Sequence, residues 1–548
     1  MQKRKLICIL AFSLLVCLPF AFYWAVVYPA PDSPSFYQET STRTELDSTT
    51  FQFGPNWLRK NASGNWESYI EGDAFERGWA MGLLHQELIQ HQEEVFVEEI
   101  KKMLPNGFLR TVIQAGVTWF NRNLDESVPE EFLQEIYGVS RFFSENYGYI
   151  GPKFNRILNY HAAHDIGHMV QNMNLVACSA IAQWDFSGDS PQMLIGRNFD
   201  FYFGDGFAEN KIVLFINPDQ GYDFVSVSWG GFSGVVSGMN EKGLTVTLNA
   251  LPSEIPKQSE TPVSIIAREV VQYASTIEEA FQIIQKYPVF VSESFTIASA
   301  LDQKAAVIEK TPNSTTIYYP EGNRLVVTNH FQSTEMANSE INLSHLKESE
   351  SMERFERLNE LASRDSILSV AHILSYLREQ KGSGEQALGM GNPMAINQLL
   401  AHHAVIFDPI NLVAYISAAP FQENVFNAYS LLEIKKMGST NPLKSPEIDS
   451  LRLPADSFLF SPDYAQFKEY KALKEELKFG RETEFDEEFF SKMIRSNPEY
   501  YEPYKLAGDY FYEKKDWAKA QNYYKQALEK PIPYTSYREE MTERIKSK

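Results

Sequence analysis

The spacing of apolar residues along the chain changes from a helical period to a strand period near residue 178. Before this point, apolar positions recur every three to four residues, which predicts amphipathic helices over 74–104, 107–121, 129–146 and 152–172. After it, apolar and polar residues alternate, which predicts strands over 193–201, 211–219, 223–231 and 244–250.

Further along the chain, predicted helices and strands come in groups. The helices are predicted over 262–273, 277–286, 345–363 and 366–380. The strands are predicted over 294–300, 304–310, 315–319, 324–329, 403–408 and 411–417. Groups of strands separated by helix pairs favour an α+β fold with two layered sheets and helices outside them, an αββα sandwich.

The N-terminus carries a run of 23 uncharged residues, 6–28, after a basic start. At about 1.5 Å per residue such a run crosses the roughly 30 Å core of a bilayer. The basic residues stay on the cytoplasmic side, so we expect a signal anchor over 1–30 with the body of the protein outside the cytoplasm. A cleaved signal peptide, which releases a secreted protein, is the alternative.

The C-terminal region differs in composition from the rest of the chain. Residues 497–531 place Tyr504, Gly508, Phe511, Ala520, Tyr524 and Ala527 where the 34-residue tetratricopeptide pattern has them. One and a half repeats cannot build a long solenoid. The alternatives are a helical hairpin packed on the main domain and a docking site for a partner protein.

These patterns divide the chain into consecutive segments. The predicted segments are the leader 1–30, a linker 31–64, a helical pro-segment 65–177, the core 178–435, a connection 436–480 and the helical tail 481–548.

Composition excludes some classes of function. The formal net charge of -21 argues against a nucleic-acid partner, because phosphate binding needs a basic face. His161, His164, Asp165 and His168 share one helix face, but no second cluster completes a metal geometry. We therefore expect neither a metal nor a cofactor.

Cys178 is the one cysteine outside the leader, which contains Cys8 and Cys17. An exported body with one cysteine cannot form an internal disulfide, so Cys178 is predicted to be a free thiol. A free thiol in an oxidising compartment is either buried in the core or used as a nucleophile.

Six segments, in this order, resemble the N-terminal nucleophile hydrolases of the choloylglycine hydrolase superfamily. They are EGDAFERGWAMG (71–82), ACSAIA (177–182), GRNFDF (196–201), GMNEKGLTVTLNALP (238–252), VVTNH (326–330) and MERFERL (352–358). The most similar branch is the penicillin acyltransferase-like group, and acid ceramidases and N-acylethanolamine amidases are relatives. The resemblance implies an αββα fold, cleavage of the Ala177–Cys178 bond and hydrolysis of a non-peptide amide.

The chemistry of such a site can be stated from the residues. Cleavage before Cys178 creates an α-amine with a reference pKa of about 7.7–8.0, which can serve as the base for its own thiol. Arg197 would favour the thiolate, and Asp200 could accept a hydrogen bond from the amine. Strict alternation puts Arg197 and Asp200 on opposite faces, so one shared site requires a strand end or a bulge.

The resemblance also implies roles for later residues. Asn249 and Asn329 match the asparagines of the family, whose amides suit a developing oxyanion, and Arg354 matches a late arginine that positions or stabilises charge. Aromatic residues near the motif predict an apolar acyl site or, equally, core packing: Trp184, Phe201, Phe203 and Trp229.

The sequence therefore predicts an autoprocessed N-terminal cysteine amidohydrolase acting on a small N-acyl amide through a thioester. An acyltransferase using the same site and an inactive envelope scaffold are the alternatives. The segment WDFSGDSPQ (184–192) lengthens the spacing from Cys178 to Arg197, either as a longer hairpin or by displacing the arginine.

Overall fold

The computed structural model describes residues 26–32, 42–163, 165–166, 176–364, 369–438, 442–480 and 484–546. The predicted leader over 1–30 lies almost entirely outside these ranges. Among the described helices, none is both long and apolar enough to cross a membrane.

The described strands form two sheets. Their bounds are β1 Thr44–Asp47, β2 Thr50–Phe53, β3 Asn56–Lys60, β4 Trp66–Gly72, β5 Val176–Asp185, β6 Gln192–Phe201, β7 Ile212–Pro218, β8 Phe224–Ser228, β9 Ser237–Asn240, β10 Leu244–Ala250, β11 Glu293–Ser299, β12 Lys304–Lys310, β13 Thr315–Tyr318, β14 Arg324–Val327, β15 His403–Asp408, β16 Val413–Ser417 and β17 Phe426–Ser430.

The larger sheet has the order β1-β2-β3-β4-β7-β8-β9-β10-β11-β12-β13, and the smaller sheet has the order β14-β5-β6-β15-β16-β17. Neighbouring strands are antiparallel, except that β4 runs parallel to β7.

The described helices lie mostly outside the sheets or in the C-terminal region. Their bounds are α1 Ala74–Leu84, α2 Gln86–Met103, α3 Gly107–Phe120, α4 Leu124–Ser127, α5 Glu130–Ser140, α6 Lys153–His161, α7 Val263–Tyr273, α8 Ile277–Lys286, α9 Glu340–Lys347, α10 Ser351–Arg364, α11 Val370–Leu377, α12 Leu431–Met437, α13 Pro462–Phe479, α14 Glu487–Ser496, α15 Tyr501–Glu513, α16 Trp517–Leu528 and α17 Thr535–Lys546.

Three apolar clusters arrange these elements in four layers. Between the sheets, Val213 and Phe215 of the larger sheet pack with Ala182 and Ile195 of the smaller one. On its other face the larger sheet packs against α1, α5, α6, α7 and α8, and the smaller sheet packs against α10 and α11. The prediction of a mixed α/β fold is confirmed, and the layers are helix, sheet, sheet and helix.

The segment before residue 65 is not only a linker. Residues 44–60 form three strands that extend the larger sheet through β4, which corrects the predicted linker over 31–64. Trp57 and Leu58 of β3 are buried, so this edge belongs to the core. Its Ser- and Thr-rich composition hid short strands whose stability comes from sheet pairing rather than from propensity.

The segment over 65–177 is helical as predicted, but it begins with strand β4. The single helix predicted over 74–104 is two helices that meet at His85. The buried His85 ring contacts Ser68 of β4, with its Nε2 2.8 Å from Ser68 Oγ. The described part of the pro-segment therefore supplies strand β4 and six helices to the fold.

Residues 184–192 form the end of a longer hairpin between β5 and β6. The register runs without interruption from Val176 opposite Phe201 to Asp185 opposite Gln192. The longer spacing between Cys178 and Arg197 therefore does not displace the arginine.

The C-terminal helices share one apolar cluster that also contains Leu399 of the core. Helix α13 belongs to this cluster, which moves the predicted start of the tail from 481 to about 462. Helices α15 and α16 are in close contact at Gly508. A Cβ at this position would lie 2.5 Å from the ring of Tyr524. The tail packs on the main domain, and its assignment as a tetratricopeptide repeat stays a prediction.

Candidate active site

Cys178 lies on β5 and faces the space between the two sheets. It is 1% exposed. Phe199 of β6 lies directly opposite it, and His403 of β15 lies opposite Phe199. Cross-strand partners share a face, so these three side chains stand side by side on three neighbouring strands.

Arg197 reaches the thiol from β6. Its Nη2 lies 3.2 Å from Cys178 Sγ and also donates to the carbonyl of Leu248, while Nη1 donates to Ser237 Oγ at 2.9 Å. The guanidinium carbon is 4.3 Å from the centre of the Phe199 ring. These contacts fix the cation against the sulfur without an intervening water layer.

Burial decides the protonation state of the thiol. Desolvation raises the pKa of Cys178 to about 11, although Arg197 acts in the opposite direction. In the chain with its Ala177–Cys178 bond intact, Cys178 is therefore a neutral thiol. Arg197 favours the thiolate, as expected, but before cleavage the cost of burying a charge exceeds the attraction of this one arginine.

Arg197 and Asp200 lie on opposite faces of β6, as strict alternation requires, and the strand has no bulge. Of the two alternatives, a strand end or a bulge, the structure shows the strand end, because β6 ends at Phe201, one residue after Asp200. Asp200 is directly opposite Ala177, so it approaches the Ala177–Cys178 peptide from one face while Arg197 contacts the thiol from the other. A backbone bond lies in the plane of the sheet and is reached from both faces.

Asp200 is fully buried beside this peptide bond. Among the described residues, neither of its carboxyl oxygens has a hydrogen-bond partner. Burial raises the pKa of Asp200 to about 7, with Arg354 and Arg197 opposing that rise. A buried carboxyl without a partner is costly, and an amine created at Cys178 would supply one.

Asn329 and Arg354 hold the backbone of Cys178. The Cys178 amide nitrogen donates to Asn329 Oδ1 at 3.0 Å. Arg354 Nη1 donates to the Cys178 carbonyl at 2.5 Å and to Ser179 Oγ at 2.9 Å, and Nη2 donates to Asn329 Oδ1 at 2.8 Å. The two residues thus fix both polar groups of the Cys178 backbone.

The asparagine amides do not act as free donors in the uncut chain. Asn249 Nδ2 donates to the carbonyls of Thr328 at 3.1 Å and Val327 at 3.3 Å, which ties β10 to the end of β14. Asn329 Nδ2 donates to the Ala250 carbonyl at 2.9 Å. An oxyanion role for either amide requires these contacts to change on cleavage.

Three of the four predicted aromatic residues lie together around Phe207. Ring centres of Phe201, Phe203 and Trp229 are 5.5, 6.2 and 5.5 Å from the Phe207 ring. Phe201 also stacks on Phe199 at 5.5 Å, which connects the cluster to the strand position opposite Cys178. A cavity of about 50 Å³ beside this cluster is closed on its other side by helices α2 and α6 of the pro-segment.

Trp184 does not join this cluster. It is buried between the sheets near the end of β5, six residues from Cys178, or about 20 Å along an extended strand. Its backbone pairs with Asn323. Trp184 is a core residue, which agrees with the core-packing alternative for this side chain.

The histidine-rich face before Cys178 is only partly described, since His164 and His168 lie outside the described residues. His161 Nδ1 faces the Ile157 carbonyl at 2.8 Å, and Nε2 accepts from the Ser233 amide at 2.9 Å. Both ring nitrogens are therefore occupied by the protein. Among the described residues, no group of three or more His, Cys, Asp or Glu could hold a metal ion.

A family model described as acyl-coenzyme A:6-aminopenicillanic acid acyl-transferase matches residues 187–378. The match begins just after Cys178 and includes Arg197, Asp200, Asn249, Asn329 and Arg354. Residues 187–378 are therefore similar to a penicillin acyltransferase-like domain. The resemblance predicted from the ordered motifs is thereby confirmed.

Other proteins are similar over part of the chain. An uncharacterized protein of Archaeoglobus fulgidus is 26% identical over 239 residues, which are 41% of this chain and 39% of that protein. The aligned region thus spans well under half of that relative.

Two solved structures are similar to part of this chain, both with low TM-scores. An ortholog of N-acylethanolamine-hydrolyzing acid amidase from Caenorhabditis elegans is 18% identical, covering 42% of this chain and 93% of its own, with a TM-score of 0.31. A variant of conjugated bile acid hydrolase from Clostridium perfringens is 16% identical, covering 46% and 92%, with a TM-score of 0.32. The fold assignment rests on the observed layers and not on these scores.

Around Cys178, the structure adds residues that the sequence did not predict. Ser237 Oγ, which accepts from Arg197, lies 3.0 Å from His403 Nε2, and His403 Nδ1 lies 2.9 Å from His402 Nδ1. Burial holds the pKa of both imidazoles well below the usual value, so both are neutral. The signal available was the His402-His403 pair directly before a predicted strand.

Buried charges also surround Arg197. Burial raises the pKa of Glu293 well above its usual value, with Arg197 opposing that effect. Lys211 is 1% exposed, and burial lowers its pKa to about 7. Near pH 7, Glu293 is therefore neutral and Lys211 is about half protonated, and Arg197 is the cation in contact with the thiol.

Proposed function

We propose that this protein is an N-terminal cysteine amidohydrolase that cleaves its own chain before Cys178 and then hydrolyses a linear N-acyl amide. The observation that carries the proposal is the gathering of Arg197, Asp200, Asn329 and Arg354, from three separate segments, around one buried cysteine. Two of them hold its backbone, one contacts its sulfur and one lies beside the bond to be cut.

The first reaction is the cleavage of the chain. Cys178 Sγ, losing its proton, attacks the Ala177 carbonyl carbon, and the bond from that carbon to the Cys178 nitrogen breaks. The nitrogen, held by Asn329 in the uncut chain, takes up the proton and becomes the α-amine. Water then hydrolyses the thioester, which leaves a carboxylate on Ala177 and a free thiol on Cys178.

The second reaction uses the group that the first creates. The new α-amine accepts the thiol proton, and the thiolate attacks the amide carbonyl of the substrate. The amine then gives the proton to the leaving nitrogen as the thioester forms, and water resolves the thioester to a carboxylic acid. Asp200 accepts a hydrogen bond from the α-amine and orients it, which gives the buried carboxyl the partner it lacks in the uncut chain.

An acyltransferase is the second candidate function, favoured by the name of the matching family model. In that case another amine, rather than water, attacks the thioester. A panel of N-acyl amides tested with and without an added acceptor amine separates the two, because hydrolysis yields the free acid and transfer yields a new amide.

The decisive experiment compares wild-type protein with Cys178→Ser and Cys178→Ala on such a panel. We expect release of the amine by the wild type alone, together with a covalent acyl adduct on residues 178–548 that is seen by mass spectrometry after rapid quenching. Arg364→Met, an exposed change on α10, serves as the control and should retain full activity. Equal amine release by wild type and Cys178→Ala would overturn the proposal.

We further propose that the enzyme works outside the cytoplasm, attached through the predicted anchor over 1–30. The hydrophobicity of residues 6–28 supports this proposal. Retention of the fragment 1–177 in the membrane fraction after alkaline carbonate washing tests it, and release of that fragment into the supernatant would contradict it.

A further inference from the structure

A cleft of about 510 Å³ lies between the C-terminal tail and the catalytic core. Its apolar lining comes from both sides: Tyr202, Phe203, Leu399 and Leu400 of the core, and Phe467 and Phe479 of α13. Pockets that bind small organic molecules have volumes of about 300–1,000 Å³ and mostly apolar walls. The size and lining of this cleft fit that class of site.

The tail wall of the cleft is fixed to the core. Asn497 forms two hydrogen bonds with the backbone of Met390, accepting from its amide at 3.0 Å and donating to its carbonyl at 2.7 Å. Gly389 has φ of +81°, and a Cβ there would lie 2.4 Å from the amide nitrogen of Tyr500. Backbone contact this close requires glycine, and it holds the tail in one position.

The core wall continues the two strands beside the candidate nucleophile. Phe199, opposite Cys178, is followed three residues later by Tyr202, so the cleft begins about 10 Å along β6. Leu399 and Leu400 come four and three residues before His403, the β15 residue that pairs with Phe199. An extended acyl chain attached at Cys178 would cover this distance.

The charged residues that line the cleft are three lysines and three glutamates: Lys471, Lys474, Lys478, Glu99, Glu475 and Glu502. Lys474 Nζ lies 2.6 Å from Glu502 Oε2, and Lys471 Nζ lies 2.5 Å from Oδ1 of Asp205, outside the lining. Equal numbers of opposite charges leave little net charge to attract an ionic ligand, so the apolar lining dominates recognition. The cleft therefore suits a hydrocarbon group better than a highly charged one.

We propose that this cleft binds the hydrocarbon part of a medium- or long-chain acyl group, so that the tail is part of the substrate site. The proposal rests on the proposed function for its link to Cys178, but the binding itself does not depend on turnover. It assigns the tail a role in selecting the acyl chain, in place of docking a partner protein.

The test measures binding of dodecanoate, with acetate as the short-chain reference, to the purified full-length chain by calorimetry. Leu400→Trp fills the cleft from the core side, and Phe479→Asp places a charge on its tail side. Phe479 is 55% exposed, so that change leaves the fold intact. Phe460→Asp is the matched control, since Phe460 is 82% exposed and does not line the cleft.

We expect dodecanoate to bind the wild type and the Phe460→Asp control equally, and each cleft variant at least tenfold more weakly. Failure of the wild type to bind dodecanoate, or equal binding by all four proteins, would overturn the proposal. In a second measurement, the cleft variants should lower kcat/KM for N-dodecanoyl amides at least tenfold while leaving N-acetyl amides unchanged. Dodecanoate binding without any amide turnover would refute the proposed function and leave the cleft assignment standing.

Discussion

Replacing Arg354 by methionine removes the group that joins the Cys178 backbone to helix α10. The arginine is fully buried and donates to the Cys178 carbonyl, Ser179 Oγ, Asn329 Oδ1 and Glu350 Oε1. Methionine has a similar length but donates no hydrogen bond, so these acceptors lose their partner and Glu350 loses its counter-ion.

The size of the expected loss in unfolding free energy follows from the burial of Arg354. Hydrogen bonds to a charged group contribute about 1.5–3 kcal/mol each, but they are not additive, and removing one member of a buried ion pair costs about 3–5 kcal/mol. We therefore expect Arg354→Met to lower the free energy of unfolding by about 3–5 kcal/mol. Asn329 also loses its orientation, so cleavage before Cys178 should slow by at least tenfold.

Urea unfolding followed by tryptophan fluorescence measures the loss of unfolding free energy. The ratio of cut to uncut chain over time measures the rate of cleavage before Cys178. The matched control is Arg364→Met on the same helix, whose side chain is 45% exposed. An exposed ion pair contributes about 0–1 kcal/mol, so the control should be nearly neutral. A loss below 1 kcal/mol in Arg354→Met, with cleavage at the wild-type rate, would refute this account of Arg354.

Three further predictions concern the uncut and cut chains. In the uncut form, iodoacetamide should leave Cys178 unmodified at pH 7.5, because a pKa of about 11 leaves about one thiolate in 3,000; labelling within minutes, seen by intact mass, would contradict this. Because burial raises the pKa of Asp200 from 3.8 to about 7, its contribution to stability is complete below pH 4 and falls as the pH rises to 7. In a Cys178→Ala background, which keeps the chain uncut, Asp200→Asn should therefore gain up to about 4 kcal/mol in unfolding free energy between pH 4 and pH 7.5, and a flat difference across this range would show that the carboxyl ionises freely. After cleavage the two fragments should co-elute in size-exclusion chromatography and separate only in denaturant, since residues 66–72 pair with residues 212–218 in the larger sheet; separation under native conditions would contradict this pairing.

Segments with strong local signals were predicted well. The strand over 244–250 and the helix over 277–286 have the predicted bounds, and the Thr276 side chain caps this helix by accepting from the Glu279 amide. Strands β9 and β17 were missed, because short segments such as Ser237–Asn240 gain their stability from neighbouring strands rather than from their own residues.

In the site, too, residues with a local sequence signal were predicted, and contacts that depend on the tertiary fold were not. The motifs named Cys178, Arg197, Asn329 and Arg354 correctly as neighbours, because each lies in a recognisable short pattern. The contact of Ser237 with Arg197 arises from the stacking of one sheet on the other, which no local pattern encodes.

The protonation state of the Cys178 thiol also could not be predicted from the motif alone. Arginine next to cysteine suggested a thiolate, whereas complete burial raises the pKa of the Cys178 thiol. The degree of burial follows from how the pro-segment and both sheets pack, and this is a property of the whole fold.

The state of the Ala177–Cys178 bond tests the central claim most directly. Intact-mass analysis and N-terminal sequencing of purified wild-type protein should find a fragment that begins at Cys178 and ends at residue 548, while Cys178→Ala should remain one chain. A wild-type protein that stays a single uncut polypeptide, with Cys178 unreactive after prolonged incubation across pH 4 to 8, would contradict the account.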